Sequence, residues 1–154
     1  MFSRENQKDV KEEIVEQIIC EKYNSYYRIA YSYVHNDADA SDIVQEGAYK
    51  AMKSSSSLRN TEFAGTWVYR IMMNEIFKFL DSNRLSSFEG EKIKEPQTED
   101  DYEDIDLIKA LAELSPKDRA VIQLKFFEDQ KLKKIADILG ENINTVKSRY
   151  ISKW

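Results

Sequence analysis

Residues 135–150 read IADILGENINTVKSRY and contain two short helical patterns on either side of a glycine. Gly140 stands where a helix ends and the chain needs a positive φ, which glycine adopts without steric cost. Ala136 is small, so the second helix can cross close to the first. Val146 is expected to pack the second helix against the first. This spacing predicts a helix-turn-helix near the end of the chain.

The second helix of this motif carries polar and basic side chains suited to DNA. In the major groove, amide and hydroxyl groups bind base edges and cations bind phosphate oxygens. We therefore predict a DNA-reading face formed by Asn142, Asn144, Thr145, Lys147, Ser148 and Arg149. A helical hairpin with a merely solvated face is the alternative interpretation.

Apolar residues at helical spacing predict helices throughout the front half of the chain. One long helix or two in series cover residues 11–35, and Asn36 can cap a second helix over residues 38–53. A polar loop at residues 54–62 leads into a third helix at residues 63–82. The scarcity of glycine (4) and proline (2) also favours helices over a many-stranded sheet. The predicted fold class is all-α.

A strongly acidic stretch separates the front half from the back half. Residues 89–106 hold nine acids and two lysines, a net charge of −7, whereas the whole chain carries −5. Such a segment buries too little apolar surface to offset its ordering entropy, so we predict a linker at residues 85–103. The predicted domains are therefore residues 1–84 and residues 104–154. The sequence leaves open whether the two domains are held apart or clamped together.

Helix-start signals and charge in the back half fit the helix-turn-helix. Ser115, Pro116 and Asp118 supply a serine cap, a proline at the first helical position and an acid in the first turn. The final residues, 131–154, hold six bases against two acids. Positive charge is thus concentrated beside the predicted DNA-reading face of an otherwise acidic protein.

Several function classes lack sequence support. The apolar runs are only a few residues long, and the first ten residues lack a signal-peptide core. The one cysteine, Cys20, cannot form an internal disulfide, which favours a reducing cytoplasm. His35 is the only histidine, and no nucleophile–base pair, metal-ligand spacing or glycine-rich phosphate loop occurs. We predict no enzyme activity, no cofactor, no metal site and no small-molecule substrate.

Residues 111–150 closely resemble region four of bacterial sigma factors of the extracytoplasmic-function group, in the sigma-70 family. The matching features are the LSPKDR helix start, the FFED turn, the IADILG scaffold helix and the NTVKSR recognition helix. Residues 26–52, with an A-x-D-x-V-Q-E core, and residues 63–81 resemble the conserved helices of region two. Gly47 stands where relatives usually carry a larger residue, so the second helix is expected to pack more loosely.

The resemblance implies a transcription initiation factor that lends promoter specificity to RNA polymerase core and helps to melt the duplex. Its C-terminal helix would read the minus-thirty-five element of promoter DNA. The front domain would dock on the clamp helices of the largest polymerase subunit, and the back domain on the flap of the second-largest subunit. The docking residues of the front domain would be Asp39, Asp42, Ile43, Gln45 and Glu46.

The polar loop and the third helix would meet the melted minus-ten element. The residues implied in this contact are Arg59, Asn60, Thr61, Arg70, Asn74 and Lys78. Bases held out of the stack need hydrogen bonds to their edges and stacking partners. Trp67 is either such a stacking partner or core filler, and its helical spacing with Ile71 favours core.

The acidic linker would thread the RNA exit path of polymerase.

Members of this group are usually held inactive by an anti-sigma factor, often a membrane-anchored protein, so the resemblance implies such a partner at the inner face of the membrane. The alternative function is a helix-turn-helix regulator that binds operators without polymerase core. Such a regulator would need neither a loop for melted DNA nor a helix that docks on the polymerase clamp.

Overall fold

The structure, a computed structural model, describes residues 2–82 and 109–152, and in these ranges its regular elements are helices. The prediction of an all-α chain is confirmed. The front half holds α1 (Phe2–Val34), α2 (Asp37–Lys53) and α3 (Ala64–Ser82). The back half holds α4 (Pro116–Phe126), α5 (Leu132–Leu139) and α6 (Ile143–Ser152), preceded by a helical turn at residues 109–112. The predicted linker, residues 85–103, lies outside the described residues.

α1 and α2 form an antiparallel hairpin with a two-residue turn. α1 is one continuous helix, and it begins earlier than the apolar spacing predicts. His35, which is half-buried, takes a positive φ of 53° and ends the helix. The side chain of Asn36 then accepts a hydrogen bond from the backbone N–H of Asp39 at 2.9 Å. This bond satisfies an N–H group that the first turn of α2 leaves unpaired, so the predicted cap is confirmed.

α2 and α3 approach each other closely at Gly47. A Cβ atom built on this glycine would lie 2.5 Å from Sδ of Met72, which is itself 2% exposed. The expectation that α2 packs loosely at Gly47 is therefore wrong. The missing side chain allows the two helices to come into contact, and the Met72 thioether fills the space.

The connection between α2 and α3 is more ordered than a polar loop. It contains two 3-10 turns, Ser55–Ser57 and Thr61–Phe63. Ser55 and Leu58 are buried, with 1% and 3% of their surface exposed, so both anchor the connection to the interior. Asn60 accepts a hydrogen bond from the N–H of Glu62 at 3.0 Å and thereby starts the second turn. The segment consequently has a fixed shape on the surface.

The back half folds as its local signals predict. Oγ of Ser115 accepts a hydrogen bond from the N–H of Asp118 at 3.2 Å at the start of α4. Gly140 has a φ of 66°, and the N–H of Glu141 bonds to the carbonyl of Ala136 at 3.0 Å. This is the Schellman arrangement, which ends α5 and turns the chain into α6. Val146 lies in the interior with no exposed surface, so the helix-turn-helix is confirmed.

The two halves are packed together. α3 lies against α5, and buried apolar residues of both halves, among them Val68, Met72, Ile135 and Ala136, form one continuous interior. The question that the sequence leaves open is thus answered for this structure, in which the halves are in contact over apolar surface. Each half also has its own set of three mutually packed helices.

Gly140 offers a test of this turn. We expect Gly140→Ala to lower the free energy of unfolding by about 1–2 kcal/mol, because alanine is strained at positive φ. Its Cβ would also meet Nη2 of Arg70 at 2.7 Å. Gly65→Ala is the control, because a Cβ there meets no atom within 4 Å and alanine favours the helix. Urea denaturation measures both variants, and equal midpoints for the two would contradict the turn geometry.

Candidate functional site

α6 presents a polar face to solvent. The exposed side chains are those of Asn142, Asn144, Thr145, Lys147 and Ser148. Val146 points the other way, into the interior, and fixes which face is outward. Asn142 also accepts a hydrogen bond from the N–H of Asn144 at 2.8 Å, so its amide caps the start of α6. Five of the six predicted DNA-reading residues thus lie on one accessible surface.

Arg149, the sixth predicted residue, is placed differently. It follows Val146 by three residues and therefore shares the inward side of α6. Its Nη1 donates to Oδ1 of Asp118 at 2.8 Å, and its Nε donates to Oε2 of Glu141 at 2.9 Å. Asp118 and then Glu141 raise the pKa of this guanidinium. The expectation that Arg149 turns outward with its neighbours is corrected by these contacts.

The connection before α3 faces the helix-turn-helix across a cavity of about 670 Å³. Arg59 and Asn60 line it from the front half, together with Trp67 of α3. Gly140 and Glu141 line it from the back half. Thr61, the third predicted loop residue, is exposed beside them. The cavity therefore brings the loop and the turn of the DNA-reading motif together.

Trp67 has features of both interpretations that the sequence leaves open. It is partly buried and packs against the apolar interior, and it also lines the cavity. Trp67 therefore packs on the core and borders the cavity at the same time. Phe63, exposed by 58%, is a second aromatic residue at the same cavity. No local pattern marked Phe63, because its exposure depends on where α3 begins.

Arg70, Asn74 and Lys78 form an exposed stripe along α3, with successive members four positions apart. Arg70 lies at the cavity, where its guanidinium is against the backbone of Gly140. Lys78 lies two turns further on, at a separate groove of about 280 Å³ between α2 and α3. The structure therefore groups Arg70 with the loop residues and separates Lys78 from them.

The predicted docking face on α2 is largely exposed. Asp42, Gln45 and Glu46 are exposed, and Asp39 is half-buried at the start of the helix. Ile43 is 4% exposed and belongs to the core, although it borders the groove between α2 and α3. Its inclusion in an exposed docking face is corrected, because Ile43 is among the buried residues that hold α2 to the interior.

An ion cluster lies beside this face. The ammonium of Lys50 bonds to the carboxylate of Glu75 on α3 and lies 3.9 Å from Oε1 of Glu46. The hydrogen bond to Glu75 is the main cause of a raised pKa at Lys50. This lysine ties α2 to α3 and orients Glu46 along the edge of the groove.

Polar contacts between the halves centre on Arg119 of α4. Arg119 is 6% exposed, donates to the backbone carbonyl of Ser32, and stacks over the ring of Tyr33 at 4.3 Å. Burial lowers the pKa of Arg119, and burial followed by the charge of Arg119 lowers the pKa of His35. Gln123 donates to the hydroxyl of Ser32 at 2.5 Å. These residues hold α4 against the end of α1.

Two tyrosine hydroxyls add to the contact between the halves. Tyr33 donates to the backbone carbonyl of Pro116 at 3.0 Å, and Tyr69 donates to Oε2 of Glu128 at 2.9 Å. Burial is the main cause of a raised pKa at both phenols, so each remains a neutral donor. The partners are 83 and 59 residues apart in the chain, and no local pattern predicts such pairs.

Each half of the chain matches a known family model. Residues 21–85 match the model of sigma-70 region 2, and residues 104–150 match the model of sigma-70 region 4. The RNA polymerase sigma factor SigV of Bacillus subtilis (strain 168) is 42% identical over 134 residues, which cover 85% of this chain and 81% of that protein. Within the described ranges, no helix is long and apolar enough to span a bilayer.

Two solved structures share the fold. One is the sigma factor RpoE of Bartonella quintana in complex with the anti-sigma factor NepR, with a TM-score of 0.69 at 22% identity over 90% of each chain. The other is CnrH in complex with the cytosolic domain of CnrY, with a TM-score of 0.68 at 19% identity, covering 90% of this chain and 81% of that one. With both family regions matched in order, the chain belongs to the sigma-70 family, in the extracytoplasmic-function group, and is a sigma factor that directs RNA polymerase core to promoters.

Proposed function

We propose that this sigma factor reads its promoter through two surfaces and docks on polymerase through a third. α6 reads the minus-thirty-five element, the connection at residues 54–62 with Arg70 meets the melted minus-ten element, and the α2 face binds the clamp helices. The observation that carries the proposal is the exposed polar face of α6, held outward by buried Val146. Run-off transcription with purified core polymerase on a promoter library tests it, and absence of any selected promoter would overturn it.

Reading of the minus-thirty-five element is supported by the chemistry of the exposed face. Asn144 and Ser148 offer amide and hydroxyl groups to base edges, and Lys147 offers a cation to phosphate. Lys133 and Lys147 border a groove of about 480 Å³ beside the motif, where Asp137 and Glu141 balance their charge. The start of α6 adds partial positive charge toward phosphate.

Lys147 gives a direct test of phosphate contact. We expect Lys147→Ala to weaken promoter binding by the holoenzyme and to lower the slope of log affinity against log salt by about one. Lys11→Ala on α1 is the matched control, because it removes the same charge from the first helix of the front half. Filter binding across a salt series measures both, and an unchanged slope for Lys147→Ala would count against a phosphate contact.

Contact with melted DNA is supported by the composition of the cavity wall. On the front-half side, Arg59 and Arg70 supply cations, Asn60 an amide, and Trp67 and Phe63 aromatic rings. Single-stranded nucleic acid is bound by this combination of positive charge and stacking surfaces. Asn74 and Lys78 would follow the strand along α3, away from the cavity.

Docking on the polymerase clamp is supported by the exposed carboxylate and amide groups on α2. Reversing one charge there tests it. We expect Asp42→Lys to weaken binding to core polymerase by about tenfold. The lysine would face a surface that complements a carboxylate, and like charges across an interface are strongly unfavourable. Glu16→Lys, an equal charge reversal on an exposed position of α1, should leave the affinity unchanged. Fluorescence anisotropy of labelled sigma factor measures both, and equal losses would contradict a specific docking face.

Packing of the halves implies a conformational change before promoter binding. The minus-ten and minus-thirty-five elements are separated by about 25 base pairs, which is about 85 Å of duplex at about 3.4 Å per base pair. In the packed structure the loop and the helix-turn-helix turn line one cavity. Straight duplex cannot meet both surfaces in this arrangement. We propose that the packed form is inactive and that polymerase binding separates the halves.

A substitution at Arg119 tests whether this residue holds the two halves together. We expect Arg119→Ala to shift the chain toward separated halves, because it removes the stack on Tyr33 and the bond to Ser32. Lys117→Ala is the control on the same helix, where the lysine side chain is 52% exposed. Pulsed electron–electron double resonance between spin labels at Cys20 and at Asn144→Cys measures the distance between the halves. A distance distribution that Arg119→Ala leaves unchanged would contradict a closing role for Arg119.

An anti-sigma factor would act on the same equilibrium. The two solved relatives were each captured with such a partner or with a cytosolic domain of a second protein. We propose that an anti-sigma factor holds the halves of this chain together in the cytoplasm, and that a membrane anchor on that partner keeps the pair at the inner face of the membrane. Co-purification of the tagged chain from membrane and soluble fractions tests this proposal.

A helix-turn-helix regulator that acts without polymerase is separated by one further measurement. Such a protein would bind its DNA site equally well with and without core polymerase. The family assignment predicts instead that specific binding appears only with core. A pull-down with core polymerase, followed by footprinting of the complex, distinguishes the two.

A further inference from the structure

We propose that Arg149 is a positioning residue, which fixes the orientation of the recognition helix by binding two carboxylates, and not a DNA ligand. The inference rests on the proposed reading of the minus-thirty-five element by α6. It reverses the role that the sequence pattern suggests for this arginine, because a basic residue in a recognition helix is ordinarily expected to bind phosphate.

The contacts of Arg149 join the three helices of the back half. Asp118 lies in the first turn of α4, and Glu141 lies in the turn between α5 and α6. Arg149 donates to both, at 2.8 and 2.9 Å, from the middle of α6. Lys117 adds a fourth charge, with its Nζ 3.5 Å from Oε1 of Glu141. One guanidinium therefore bridges the start of α4, the turn and the recognition helix.

Arginine is the residue that this geometry requires. The guanidinium is a planar fork whose Nε and Nη1 point in fixed directions, so it can bind two carboxylates on different elements at once. A lysine ammonium is a single point charge and cannot reproduce both directions. The carboxylates of Asp118 and Glu141 are 13% and 10% exposed, so water screens them little. Without the guanidinium they would repel each other.

The position of Arg149 on α6 separates it from the DNA-reading face. Val146 and Arg149 are three residues apart and share the side that packs on α4 and α5, with 28% of the Arg149 side chain exposed. Asn144, Lys147 and Ser148 are exposed on the rest of the helix. Val146 sets which side of α6 faces inward, and Arg149 then sets the angle at which the helix leaves the turn.

Two substitutions distinguish positioning from DNA contact. Arg149→Lys keeps the positive charge that a phosphate contact needs but cannot bridge the two carboxylates. Glu141→Gln removes a negative charge near DNA, so simple electrostatics would strengthen promoter binding. The positioning role predicts that both variants weaken binding by about tenfold. It also predicts a salt slope that stays at the wild-type value, whereas Lys147→Ala lowers it.

The measurement uses holoenzyme assembled from core polymerase and full-length chain, with a promoter duplex selected by the wild-type holoenzyme. The double variant Arg149→Lys with Glu141→Gln should bind no more weakly than either single variant, because both act through one interaction. Wild-type affinity for Arg149→Lys, tighter binding by Glu141→Gln, or additive losses would each overturn the proposal. If the wild-type holoenzyme selects no promoter, the proposed function fails instead.

Folding is checked by urea denaturation and by binding of each variant to core polymerase, to which the front half contributes its α2 face. Should Arg149→Lys not fold, Glu141→Gln decides alone, since the sign of its effect differs between the two roles. Its companion Asp118→Asn provides the same sign test on the other carboxylate. A loss of promoter affinity in these variants, with core binding intact, supports the positioning role.

Discussion

The packing of α3 against α5 is the constraint on which the arrangement of the two halves depends. It buries apolar residues of both halves in one interior, and it brings the buried guanidinium of Arg119 to the end of α1. In the described part of the chain Arg119 contacts a carbonyl oxygen and an aromatic ring, and its Nε has no hydrogen-bond partner. A buried charge with such weak compensation is costly. The contact between the halves is therefore held mainly by apolar burial, while the bond to Ser32 and the stack on Tyr33 fix how α4 lies against the end of α1.

Local signals in the sequence predict the helices well, because each depends on a few neighbouring residues. Asn36, Ser115 and Gly140 supply caps and a left-handed turn whose chemistry is complete within four or five residues. The outward face of α6 follows from one buried residue, Val146, and the helical repeat. The same repeat also implies that Arg149 lies on the inward side, so its orientation can be predicted from the sequence. Its two carboxylate partners, 31 and 8 residues away, cannot be predicted in this way.

Longer-range features could not be predicted, because they depend on how helices meet. Gly47 suggests a loosely packed α2, yet a built Cβ would lie 2.5 Å from Sδ of Met72, so the thioether of α3 fills the space beside the glycine. Ile43 belongs to a motif that suggests docking, but the hairpin turns it into the core. The contacts between the halves join residues 59 to 91 positions apart. A pattern that covers one helix contains no information about such partners.

Glu141 takes part both in the helix-turn-helix and in the cavity between the two halves. Its carboxylate binds Arg149, which on our proposal orients the recognition helix, and Glu141 also lines the cavity between the halves. In the packed form this carboxylate is 10% exposed, and its attraction to the guanidinium is strong because little water surrounds it. Separation of the halves would remove the front-half wall of the cavity, bring more water to this region and weaken that attraction. On the proposed function, the recognition helix is therefore held most firmly while the chain is closed, and it gains freedom to adjust to the major groove in the open form that polymerase selects.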